Sequence, residues 1–213
     1  MADLETTREG RVLRLTLRRA SANNTLNLDL CRALVDALET AAQDHEAAAV
    51  LLDARGRFFC AGFDPGEAQD IYPIHSALFS LGARLHKPLI AAIQGPALGA
   101  GMGLVAAAHI AVAAHGVQFG LTDIRDGHWP YAIFPSVSKA VGERRALEMA
   151  LTGRVFGVNE ALQYGLIHEV APAIELDDRA SAIARWVASA DPEIVSRGMR
   201  FSRGKHSPKE EKP

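Results

Sequence analysis

The chain has 213 residues, 48% of them hydrophobic and 23% charged, enough apolar content to bury a core of ordinary size. A formal net charge of -2 excludes a general attraction to nucleic acid or anionic lipid, and no basic patch outside the C-terminal tail compensates for it. Cys31 and Cys60 lie far apart and outside any Cys-x-x-Cys pair, so both are expected as buried thiols rather than as a disulfide or zinc site.

Residues 1–11 carry three acidic residues and no apolar run, unlike a secretory signal, and the longest apolar stretches further on are interrupted. A cytoplasmic protein with no membrane contact is expected. Residues 11–17 alternate apolar and charged side chains, the period of a half-buried strand, and residues 19–24 read as a turn. Asn27 is a suitable N-cap for a helix whose apolar face carries Leu30, Leu34, Ala37, Leu38 and Ala41. Residues 49–53 form a short buried strand.

A helix follows with Ile71, Ile74, Leu78, Leu81 and Leu85 on one face, closed by Pro88. Residues 89–93 read as a second buried strand. The Gly-rich segment 95–103 then leads into the short side chains of a tightly packed helix, and residues 109–113 form a third strand. Beyond Gly127 the signals are helical. Pro135 suits a first turn, residues 143–151 end at Gly153, residues 159–164 end at Gly165, and the last helix covers 176–189. From Ser202 the composition cannot bury enough surface to order itself. Strands alternating with helices argue for an α/β class, and no repeat of fixed period is visible.

Two segments put small residues directly after a buried strand, where a backbone amide can approach a ligand: residues 60–64, Cys-Ala-Gly-Phe-Asp, and residues 99–103, Gly-Ala-Gly-Met-Gly. The second opens a helix whose unpaired amides favour developing negative charge. Tight strand-to-helix packing without a ligand is the alternative for either segment. A dinucleotide fingerprint is a weaker one, because Asp123 has the spacing of a ribose-binding acid but Leu104 stands where the third glycine belongs. Asp126, His128 and Tyr131 are candidate acid/base groups, although loops collect polar residues anyway. Trp129 shapes a pocket or packs a loop. His75 lies on a helix face that is mostly core. Asp64 is expected to hold its turn. The eight histidines show no helical ligand spacing, and no metal is expected.

Five ordered motifs over residues 11–170 resemble the enoyl-CoA hydratase/isomerase (crotonase) superfamily. They are residues 17–26, with Ala20 where proline is usual; residues 58–64; residues 87–103; residues 151–153; and residues 160–166. The resemblance implies a crotonase-like spiral of repeated ββα units with a shortened C-terminal helical region. The acyl-CoA-binding core would span 1–172, a helical segment 173–201 and a disordered polar tail 202–213. It also implies an oxyanion hole made by the backbone N–H groups of Phe63 and Ala100, and coenzyme A bound along Arg19, Ala20, Ala22 and Ala61, with Arg18 near the phosphates.

Family hydratases hold a water between two glutamates. At the matching positions this chain has Gly103 and Asp123. Losing one carboxylate impairs hydration more than a proton shift, so the resemblance implies an acyl-CoA enzyme that is isomerase-like rather than an efficient hydratase. An inactive coenzyme A-binding or assembly module, or a thioester hydrolase or dehalogenase, are the alternatives. The substrate would bring its own coenzyme A, no other cofactor is expected, and the protein would form a homotrimer or hexamer.

Overall fold

In the computed structural model, which describes residues 2–67 and 72–202, the alternating segment is strand β2 (Val12–Leu17), paired antiparallel along its whole length with β1 (Leu4–Glu9). β1 is not expected from its own residues, which include one apolar side chain, Leu4. The ladder offered by β2 decides it, because a strand's preference depends on what it pairs with. β3 (Ala49–Ala54), β4 (Leu89–Ile93), β6 (Ile110–Ala114) and β9 (Glu169–Ala171) extend the sheet in parallel, in the order β1-β2-β3-β4-β6-β9. All residues of β3 and β4 are buried, the pattern of parallel strands covered on both faces. A small second sheet joins β5 (Ala97–Leu98), β7 (Gln118–Gly120) and β8 (Val155–Gly157).

The helix expected after Asn27 is α1 (Leu28–Gln43), and the Asn27 side chain accepts the Leu30 N–H at 2.9 Å. It packs on α2 (Tyr72–Arg84), which in turn meets α3 (Ala100–Ala107). Ile71, placed on the α2 face by its spacing, lies outside the described residues. α4 (Phe134–Val141) has Pro135 in its first turn and lies against α3 and α5 (Glu143–Thr152), and α6 (Val158–Gln163) follows. α7 (Leu176–Ala188) buries Leu176, Ala180, Ala184 and Ala188 and packs on β3, β4 and β6.

The chain then forms α8 (Pro192–Ser202), a helix beyond the 176–189 segment that includes Ser202 and buries none of its residues. Residues 203–213, read as a disordered tail, lie outside the described residues. No helix of the described residues is long and apolar enough to cross a membrane. Both cysteines are buried as expected, and burial pushes both thiols up to about 12, which keeps them protonated and inert.

Candidate active site

The first glycine-containing loop is held from both sides by main-chain hydrogen bonds. Leu26 N–H donates to Gly62 O at 2.8 Å and Asp64 N–H to Leu26 O at 3.0 Å, so Phe63 bridges in parallel to Leu26. Ala61 N–H donates to Asn23 O at 3.1 Å, fastening the loop to the turn at residues 19–24. Asn24, fully buried with a φ of 54°, completes the junction by donating to Arg55 O and Phe58 O, each at 2.8 Å. Asp64 does hold its turn: its carboxylate accepts Gly66 N–H at 3.0 Å and pairs with Arg19 at 2.6 Å. Those two partners, the Gly66 amide first, keep its carboxyl below the usual carboxylate range.

The second segment meets the first at backbone distance. Leu98 N–H donates to Cys60 O at 3.0 Å, and a Cβ on Gly101 would lie 2.2 Å from that same oxygen, so only glycine fits there. Gly62 (φ 117°) and Gly99 (φ 51°) both adopt backbone conformations open to glycine, and a Cβ on Gly99 would lie 3.5 Å from the Cα of Gly62. The next residue in each segment is Phe63 and Ala100. Neither N–H donates to another group among the described residues. Ala100 is the first residue of α3 and fully buried, so its N–H is one of the orphan donors of a helix start.

Asp123 faces this junction from a 3-10 turn, Asp123–Asp126. Its Oδ2 would lie 3.4 Å from a Cβ on Gly99 and is buried without a hydrogen-bond partner among the described residues. Desolvation, with a smaller contribution from Asp126, raises its pKa above the ordinary carboxylate value. A carboxyl whose pKa is raised by desolvation is a recurrent feature of functional sites.

Gly103, one turn into α3, has no space for an acid. A Cβ there would lie 2.6 Å from Cγ2 of Ile133 and 2.8 Å from Cε1 of Phe79. These two side chains are site residues that the sequence did not reveal. They come from α2 and from the residue before α4, and no local pattern ties either to Gly103.

The remaining candidates divide. Asp126, His128 and Tyr131 are exposed, Tyr131 at 67%, although the His128 N–H donates to Asp123 O at 3.0 Å. Trp129 is half-buried and packs on Phe134 with ring centroids 5.8 Å apart. His75 is buried and stacks on Phe63. Ala20 and Ala22 form a 3-10 turn beside Ala61. Arg19 is turned inward onto Asp64 and Thr25, and Arg18 pairs with Glu5 at 2.9 Å. Both guanidinium groups therefore already have acidic partners within the chain.

The model of the family described as enoyl-CoA hydratase/isomerase matches residues 7–211. A 2,3-dehydroadipyl-CoA hydratase of Escherichia coli is 36% identical over 199 residues, covering 90% of this chain and 78% of its own. A 4-chlorobenzoyl coenzyme A dehalogenase-2 of Arthrobacter is 30% identical, covering 81% of this chain and 67% of its own. Among solved structures, an enoyl-CoA hydratase of Mycobacterium smegmatis aligns with a TM-score of 0.90 at 30% identity, over 99% of this chain and 86% of its own. A family protein of Silicibacter pomeroyi aligns at 0.90 and 32% identity, over 96% and 91%. The fold is the crotonase fold.

Proposed function

The chain belongs to the enoyl-CoA hydratase/isomerase family, and from that premise we propose that it shifts a double bond within an acyl-CoA thioester. In this reading the N–H groups of Phe63 and Ala100 bind the thioester oxygen and Asp123 carries the proton. The Asp123 carboxylate takes a proton from the carbon next to the thioester of a 3-enoyl-CoA. That C–H bond breaks, an O–H bond forms on Asp123, and the electron pair enters a dienolate whose charge gathers on the oxygen between the two N–H groups. The same proton returns to the carbon at the far end of the dienolate, leaving the conjugated 2-enoyl-CoA. No water is consumed.

The observation that carries this reading is the pairing of a half-buried Asp123, whose Oδ2 is buried without a partner among the described residues, with an occupied Gly103 position. A raised pKa makes Asp123 a stronger base than a surface aspartate. Ile133 and Phe79 replace the second carboxylate that would help to hold a water, so hydration lacks one of its two groups. Coenzyme A in this reading lies along Ala20, Ala22 and Ala61, whose turn is fastened to the Phe63 loop.

The test measures purified protein on a 3-enoyl-CoA, followed as conjugated product, and on crotonyl-CoA, followed as loss of the conjugated double bond. Isomerisation is expected to be the faster reaction. Hydration of crotonyl-CoA above roughly ten per second would overturn the assignment. No turnover of any enoyl-CoA or aryl-CoA thioester would favour an inactive coenzyme A-binding module, and release of halide from a halobenzoyl thioester would favour the chemistry named for the Arthrobacter relative. We also propose a homo-oligomer. Leu147 and Leu151 lie exposed one turn apart on α5, next to exposed Ile124, and light scattering reads the mass directly.

A further inference from the structure

His75 is 8% exposed, and its Nε2 is buried with no hydrogen-bond partner among the described residues. Its ring stacks on that of Phe63, with centroids 3.8 Å apart and planes 20° from parallel. Phe63 in turn meets Phe79 edge-on at 6.1 Å, and Phe79 is one of the two side chains that fill the Gly103 position. The imidazole is thus a buried polar group stacked on the aromatic ring of the same residue whose peptide offers an unused N–H. Buried polar atoms almost always find a partner, because leaving one unpaired forfeits its hydration with nothing in return.

Resting on the acyl-CoA reading above, we propose that His75 hydrogen-bonds a hydroxyl group carried by the acyl chain, so that the protein selects hydroxylated over plain enoyl thioesters. Burial lowers the imidazole pKa to about 4, so the ring is neutral at physiological pH and offers one N–H and one lone pair. A hydroxyl satisfies Nε2 in either tautomer, since it both donates and accepts. A carboxylate only accepts, so it pairs with one tautomer alone and brings a charge that a neutral ring does not offset, and a plain hydrocarbon leaves the nitrogen unpaired. Phe63 sits between His75 and the peptide that holds the thioester oxygen, so the hydroxyl is read from the same side of the acyl chain that the Phe63 ring covers.

The experiment uses the full chain and a series of 3-enoyl-CoA thioesters of one length, unsubstituted or hydroxylated at successive carbons beyond the double bond. It compares wild type, His75→Phe, which can keep the ring stack, and His75→Gln, which keeps a polar terminus. The readout is the ratio of kcat/KM for each hydroxylated thioester to that of the unsubstituted one, which a purely structural role for His75 would leave unmoved. Wild type is expected to favour one hydroxylated member by about tenfold or more, the size of a single well-placed hydrogen bond. His75→Phe should bring that ratio close to one, and His75→Gln should retain part of it. A wild-type ratio near one for every member, or a preference that survives in His75→Phe, overturns the proposal. If no member turns over, the isomerase reading fails separately, and the same ratio is then taken from dissociation constants measured by calorimetry, with the same outcomes deciding.

Discussion

The loop at residues 60–64 and the segment at residues 123–133 face the same glycine, Gly99, yet they are made of different material. The first acts through its backbone: Leu26, Leu98 and Asp64 tie it into the fold by main-chain hydrogen bonds, and its Cys60 carbonyl rests against Gly101. The second acts through side chains. Asp123 is turned inward, Ile133 fills space beside α3, and Asp126, His128 and Tyr131 point to solvent. Binding the oxygen of a thioester needs only peptide geometry, which many sequences supply. Moving a proton or a water needs particular functional groups, so in the proposed reading a change of reaction would be written in the second segment while the first stays as it is.

The sharpest way to test that division is Asp123→Asn, which should lower kcat by about 10²- to 10⁴-fold, the usual contribution of a general acid/base, while coenzyme A thioesters still bind. Because the folded protein raises the pKa of Asp123, it favours the protonated form. The stability this group contributes is present below its unfolded pKa and lost as pH rises through the folded value. Asp123→Asn should therefore melt no lower than wild type at pH 7. The same shift places the acid limb of the wild-type pH–rate profile above the ordinary aspartate range, with activity falling as Asp123 gains its proton. A variant with full activity would remove Asp123 from the chemistry.

Gly101→Ala probes the backbone half. Its Cβ would lie 2.2 Å from Cys60 O, so the loop carrying Phe63 must shift. A loss of about 100-fold in kcat is expected, comparable to losing one oxyanion donor. Unchanged kinetics in a folded protein would show that the contact does not set the site.

Gly103→Ala should cost about 1–3 kcal/mol in urea denaturation, from overpacking against Ile133 and Phe79. Ile133→Ala removes the Cγ2 that the new methyl would strike, so the double variant should lose less than the sum of the two single changes, and strict additivity would contradict the contact. The smallest effect is a control outside the site: Asn27→Ala removes the α1 cap and should cost about 1 kcal/mol with kcat unaltered.

Much of the scaffold is legible in the residues alone, because its signals are local. Leu89–Ile93 reads as a buried strand from its continuous apolar run, Asn27 as a cap from its chemistry, and the glycines of residues 99–103 as a close-approach segment from their lack of side chains. Strand β1 is invisible to that approach, since an acidic hexapeptide becomes a strand only when β2 offers it a ladder. The same holds for β5, β7 and β8, each two or three residues long, too short to show any period.

What the residues determined by themselves was the order of the longer strands and helices up to residue 189, the two close-approach segments and the presence of Asp123 without a second acid. What the tertiary structure decided was how space is filled between them. Ile133 and Phe79 occupy the Gly103 position, Arg19 turns inward to Asp64, and His75 lies flat on Phe63 with a nitrogen unpaired. Periodicity and turn chemistry act between neighbours in the chain, whereas packing joins residues tens of positions apart, and nothing in a local stretch records which distant side chain will fill the gap beside it.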